Sequence, residues 1–186
     1  MRTFVALEVG GPGDPGRPGR ATAPDHLTLQ FLGEVPEDRI GAISTALRAA
    51  VASQPPFDLT LEGVGAFPSI RSPRVVWVGT TVGRDAAVRL ARAVSEALEP
   101  LGFPAERGEF VPHVTLFRVR SPRDRARAEQ LLTGAEPAPP PRVVRVAEVL
   151  LKASELRPEG AVHRTLERFP LAGSLPPAGQ PVERSR

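Results

Sequence analysis

The sequence predicts an α+β protein built as two related lobes, and three observations carry that expectation. First, the chain repeats itself: HLTLQFL from His26 returns as HVTLFRV from His113, 87 positions later, and each copy opens a strand–helix–strand–strand unit. Glu62 and Glu148, in the third element of each unit, keep nearly the same offset. Second, short β-rich runs alternate with stretches whose apolar residues recur at helical spacing. Third, 22 prolines and 17 glycines cut the chain into short pieces, since Pro removes a backbone donor and Gly raises the entropic cost of order. A duplicated unit places equivalent residues around a pseudo-twofold axis, which brings the two histidines face to face across a central cleft.

In chain order, Arg2–Glu8 reads as a strand, and 10–24 (GGPGDPGRPGRATAP) as a loop too rich in Pro and Gly for helix. His26–Leu32 is the second strand. Pro36 followed by Glu37 and Asp38 starts a helix, which Ile40, Ile43, Leu47, Ala50 and Val51 continue at helical spacing. Strands over Phe57–Val64 and Arg74–Gly79 come next. Arg84–Leu101 is a second helix, with Ala87, Val88, Ala91, Val94 and Leu98 on its apolar side. His113–Val119 is a strand, Pro122–Leu132 an arginine-rich helix with a thin apolar stripe, and 134–142 a loop. Arg142–Leu151 and Ala161–Phe169 complete the strands. Residues 1–172 are expected to form one bilobal unit, and 173–186 a mobile tail.

Composition removes whole classes of chemistry. The 186-residue chain has no cysteine, so disulfides, thiolate metal sites and a cysteine nucleophile are excluded. Its pI of about 10.7 suggests a polyanion partner, yet 24 basic and 21 acidic residues leave a net charge of only +3. The pI is inflated because the chain has no tyrosine and a single lysine, Lys152, so little titrates between histidine and arginine. Net charge is the better guide, and it permits an anionic substrate without implying broad adhesion to nucleic acid. No apolar run reaches the ~20 residues of a bilayer span, and MRTFVALEVGG lacks the features of a secretory signal. A cytoplasmic monomer is the expectation.

Three histidines remain, His26, His113 and His163. In HLTL and HVTL, strand alternation puts His26 with Thr28, and His113 with Thr115, on one face; Leu27, Leu29, Val114 and Leu116 take the other. Imidazole donates or accepts a proton near neutrality, so a pair does both within one reaction. Threonine hydroxyls are short donors for phosphate oxygens. His163 lies in a third match, HRTL, with Arg164 where the other two have an aliphatic residue. It reads as an edge-strand or solvent-facing histidine outside the pair. No Asp, Glu or third His stands at ligand spacing beside either motif, so no metal or other cofactor is expected.

HLTLQFLGEVPEDRI, with FVPHVTLFRVR after it, resembles the RNA 2′,3′-cyclic phosphodiesterase family, also called 2′-5′ RNA ligases, of the 2H phosphoesterase superfamily. MRTFVAL, SPRVVWVG and KASELRPEGAVHRTLERFPL add to the resemblance, which spans nearly all of 1–172. It implies a bilobal fold with antiparallel sheets, helices outside and a cleft between. It implies opening of a terminal 2′,3′-cyclic phosphate to a 2′-phosphomonoester, with His26 as proton donor, His113 as proton acceptor, and Thr28 and Thr115 holding the non-bridging oxygens. Reversal would join a 5′-hydroxyl to a cyclic end through a 2′-5′ bond. The partner is then an RNA or oligonucleotide with a cyclic phosphate end; 2′-5′ oligoadenylates, a nucleotide-sugar cyclic phosphate, or RNA-end binding without turnover are the competing readings.

The sequence also departs from the family. GGPGDPGRPGR stands where relatives have a helix, and Asp25 stands where an aliphatic residue precedes the first histidine; a turn-forming role or an electrostatic effect on His26 are its two readings. Arg118 sits where the family commonly has arginine, which implies a phosphate contact. Ideal alternation, however, turns Arg118 away from His113, so either the strand bulges or the arginine is structural. Phe110 either stacks on the terminal base or packs in the core. Trp77 and Phe31 read as core, and Arg20, Arg71 and Arg74 as RNA-path or loop-solvating residues.

Overall fold

The computed structural model describes residues 1–10, 26–157 and 160–173. Eight strands among them form two antiparallel sheets: β1 (Arg2–Glu8), β2 (His26–Glu34), β3 (Phe57–Ser69), β4 (Ser72–Thr80), β5 (Val114–Arg118), β6 (Arg142–Val146), β7 (Glu148–Arg157) and β8 (Gly160–Pro170). The first sheet has the order β2-β1-β7-β8 and the second β5-β4-β3-β6. The expected α+β class and antiparallel sheets are present. The expectations for Arg20, Asp25 and the Gly/Pro segment lie outside the described residues, as does nearly all of the tail.

Each sheet draws on both sequence repeats. β2, which opens the first unit, shares a sheet with the β7–β8 hairpin of the second, joined to it through β1; β5, which opens the second, pairs with the β3–β4 hairpin of the first. The lobes are thus interleaved rather than one per repeat. β2 and β5, each an edge strand, come into contact with one another. The run Arg142–Leu151 is likewise two strands. It breaks at Ala147, whose carbonyl accepts a hydrogen bond from Leu171 N, and its halves pair with β3 in one sheet and β1 in the other.

The helices form where apolar periodicity meets a helix-compatible start. α1 (Ile40–Val51), entered through a short 3₁₀ turn after Pro36, buries Ile43, Leu47 and Val51 along one side. α2 (Arg84–Leu98) buries Ala87, Leu90, Ala91, Val94 and Leu98, and its expected last turn tightens to 3₁₀ over Glu99–Leu101. α3 (Pro122–Thr133) starts with a capping box: Ser121 Oγ accepts from Asp124 N while the Asp124 carboxylate accepts from Ser121 N. α1 and α2 pack together and, with Val5, Leu7, Leu27, Leu59, Val78, Val114, Leu151 and Phe169, make one core. Each fully buried Leu, Val or Phe contributes about 1.5–3 kcal/mol. A smaller core joins Val76 to Ala128 and Leu131 of α3. The helices therefore cover one face of the sheets and leave the other for the cleft.

Candidate active site

On the first sheet the alternation expected of HLTL holds. Leu27 and Leu29 are buried toward the helices, while His26 and Thr28 are half-buried on the opposite face. Phe4 of β1 shares that face and is almost wholly covered; its ring lies 5.0 Å from His26 and 5.1 Å from His163, centroid to centroid. His163 is exposed on the edge strand β8, as expected, but it is not remote from the pair. Its ring meets that of His26 edge-on. His26 stands opposite Glu8 and His163 opposite Ser154, which itself faces Arg2 at the other end of β1. The contact is therefore made diagonally across a strongly twisted, concave sheet, a relation no linear pattern encodes.

On the second sheet His113 and Thr115 are half-buried and Val114 is fully buried. His113 lies beside two aromatic rings, Phe67 at 4.9 Å and Trp77 at 6.0 Å between centroids. Trp77, expected in the core, is instead half-buried on the cleft face, opposite Thr115 and Gly65. Gly65 makes this possible: a Cβ there would sit 2.2 Å from Trp77 Cη2. The indole consequently lies over bare backbone.

Both motif strands bulge one residue after the threonine. Leu29 has no partner in the β1–β2 register, and Leu116 has none in the β4–β5 register. Leu29 and Gln30 are both buried, and Gln30 Nε2 donates to the Phe103 carbonyl at 2.9 Å while its Oε1 accepts from Ser95 Oγ. Each bulge reverses the in–out parity of the residues after it, in β2 as far as a second irregularity at Leu32. Phe31, expected in the core, is 58% exposed, with its ring 6.0 Å from Phe4. In the second copy Phe117 packs into the smaller core beneath Arg127, and Arg118 emerges on the side of His113, close enough for its charge to act on that imidazole. The bulged-strand alternative is the one observed. Phe110 is half-buried and packs against the main core, the other of its two readings. Arg71 lies at the tip of the β3–β4 hairpin and Arg74 is exposed on β4.

The two histidines differ electrostatically. His113 Nδ1–H donates to the Val111 carbonyl at 2.8 Å, which leaves Nε2 as the nitrogen with a free lone pair. Burial lowers its pKa, as does Arg118, against the opposing effects of the Val111 bond and Glu106. Burial lowers His26 further, to about 4, with His163 and Lys152 adding like charge. Among the described residues no three His, Asp or Glu side chains gather to hold a metal. The walls of Phe4, Phe67 and Trp77, and the contribution of Lys152, escape sequence reasoning. Phe4 is legible in part, because alternation along FVAL sets it opposite Val5.

This arrangement has counterparts. A family model described as the 2′-5′ RNA ligase superfamily matches residues 10–154. A protein of Methanothermobacter thermautotrophicus named RNA 2′,3′-cyclic phosphodiesterase is 36% identical over 146 residues, covering 78% of either chain. One of Archaeoglobus fulgidus with the same name is 37% identical over 148 residues, covering 77% of this chain and 78% of its own. The crystal structure of E. coli LigT complexed with 3′-AMP superposes with a TM-score of 0.66 at 29% identity, over 92% of this chain and 98% of that one. A crystal structure of a Thermus thermophilus protein gives 0.70 at 28% identity, over 94% and 100%.

Proposed function

Because the chain belongs to the 2′-5′ RNA ligase superfamily, we propose that it hydrolyses RNA 2′,3′-cyclic phosphate ends to 2′-phosphomonoesters between two cleft histidines. The observation that carries this reading is the His113 hydrogen bond to Val111, which sets one imidazole up as a base at Nε2. In the reaction water attacks phosphorus as His113 Nε2 takes its proton. The bond from phosphorus to the 3′ oxygen breaks, and His26 gives that oxygen its proton. The products are a 2′-phosphate and a 3′-hydroxyl. Thr28 and Thr115 hold the non-bridging oxygens, and Arg118, brought to the cleft by the bulge at Leu116, adds a forked donor for the same group.

His26 is held neutral in the free protein, whereas a general acid must carry a proton. An anionic phosphate placed against the imidazole supplies the missing counter-charge and draws its pKa upward, so substrate binding arms the acid. The same steps run backwards with a 5′-hydroxyl in place of water give 2′-5′ ligation. The test is product identification from an oligoribonucleotide with a 2′,3′-cyclic end, with chelator present. A 2′-phosphate product, lost by about a thousandfold or more in His26→Ala and His113→Ala, supports the reading. A 3′-phosphate product, or full activity without His113, overturns it.

A further inference from the structure

Of 24 Lys and Arg residues, only one is lysine, and among the described residues it is the only one of them that is buried. Lys152 lies on β7, between Phe4 of β1 and Thr165 of β8 in the register of the first sheet, and is 8% exposed. It makes no hydrogen bond or ion pair among the described residues. The carboxylates of Glu8 and Glu148 on the same sheet are taken by Arg168. The stem of Lys152 is packed into the sheet while its ammonium finds no hydrogen-bonding partner among the described residues, which leaves its donors available to a ligand. It lies near enough to both His26 and His163 for its charge to act on them. It shares the face of Phe4, its partner in the register, and the Phe4 ring touches both imidazoles.

We propose that Lys152 is a buried anion-binding residue that takes the reacting phosphate on the His26 side of the cleft, opposite the side served by Arg118. This rests on the phosphodiesterase reading. The slim, unforked side chain suits the position: a guanidinium needs width and several partners, whereas an ammonium is a compact point charge that fits near two imidazoles. The phosphate supplies the partner that the described residues do not, and it neutralises the cationic cluster that, with burial, keeps His26 uncharged.

Since Lys152 is the single lysine, labelling the protein with ¹³C-lysine yields one Cε–Hε environment that reports it without assignment. Titrating the wild-type protein with inorganic phosphate, against chloride at equal ionic strength, should give a saturable shift of that signal with phosphate alone. No shift, or the same drift with chloride, overturns the proposal whether or not the protein is active. Lys152→Met should then weaken inhibition by phosphate at least tenfold and raise KM for a cyclic-phosphate-ended oligonucleotide by a similar factor. A residue serving packing alone would lower Tm and leave phosphate inhibition in place. A phosphate-induced shift with unchanged KM in Lys152→Met overturns the assignment to the reacting group. A wild-type shift in a protein that lacks cyclic phosphodiesterase activity overturns the functional reading and leaves Lys152 as a phosphate site.

Discussion

The rings of His26 and His163 meet edge to face, with centroids 4.9 Å apart and planes inclined at 80°. The third histidine is therefore an electrostatic neighbour of the first. Its positive form disfavours a second charge on His26. His163→Phe keeps an aromatic edge against His26 and removes the charge. The His26 pKa, followed by NMR of the ring protons, should move upward, and the lower of the two apparent pKa values of kcat/KM should move the same way. An unshifted His26 titration would show that the ring contact carries no electrostatic coupling.

The wild-type pH profile is set by the same shifts. With His26 at about 4 and His113 also below its ordinary value, the form with a protonated acid and a free base is most populated between the two pKa values. That places the maximum of kcat/KM below pH 6.5. The kcat optimum should lie higher, because bound phosphate raises His26 in the complex. Measuring both profiles with a cyclic-phosphate-ended dinucleotide checks this; a kcat/KM maximum above pH 7.5 would contradict it.

Acid should destabilise the fold well before the carboxylates titrate. The unfolded His26 imidazole binds a proton near pH 6.5 and the folded one only near 4, so between these values the unfolded state holds more protons. Stability is full above 6.5 and declines as pH falls toward 4, by on the order of 3 kcal/mol for this residue. His113 and His163 are shifted in the same direction. Urea unfolding at pH 7 and pH 4.5 should show the loss, and His26→Gln should flatten it.

Gly65→Ala tests the floor beneath the second motif. The new methyl would meet Trp77 Cη2 at 2.2 Å, so the indole, in contact with both Phe67 and His113, must move. A loss of about 1–3 kcal/mol is expected from overpacking, with a fall in kcat as His113 loses its wall. Trp77→Leu in the same background should restore part of the stability without restoring kcat.

Arg118→Ala and Arg118→Lys separate charge from fork. Alanine should raise KM by about tenfold or more, consistent with the ~1.5–3 kcal/mol of a charge-assisted hydrogen bond. Lysine should recover only part of it, because a point charge cannot bond two oxygens in parallel. Neither change should move the melting temperature by more than a degree or two, since the side chain is exposed.

Local chemistry was enough to determine the helices of this protein, its strands other than the break at Ala147, the two HxT motifs, and the faces on which His26, Thr28, His113 and Thr115 lie, because alternation and helical period are properties of a few adjacent residues. Ser121 and Pro122 set the start of α3 in the same way. Three matters belonged to the tertiary structure alone. The bulges at Leu29 and Leu116 arise from how β2 and β5 register against neighbours distant in sequence, and they reversed the sides of Phe31 and Arg118. The exchange of motif strands between repeats depends on which sheet each edge strand joins. The gathering of His26, His163 and Lys152 around Phe4 needs the coiling of a four-stranded sheet, which brings together side chains from strands far apart in the chain. The α+β class and the repeat were thus written in short-range pattern, whereas the interleaving of the lobes and the electrostatics of the first histidine were decided by long-range register and twist.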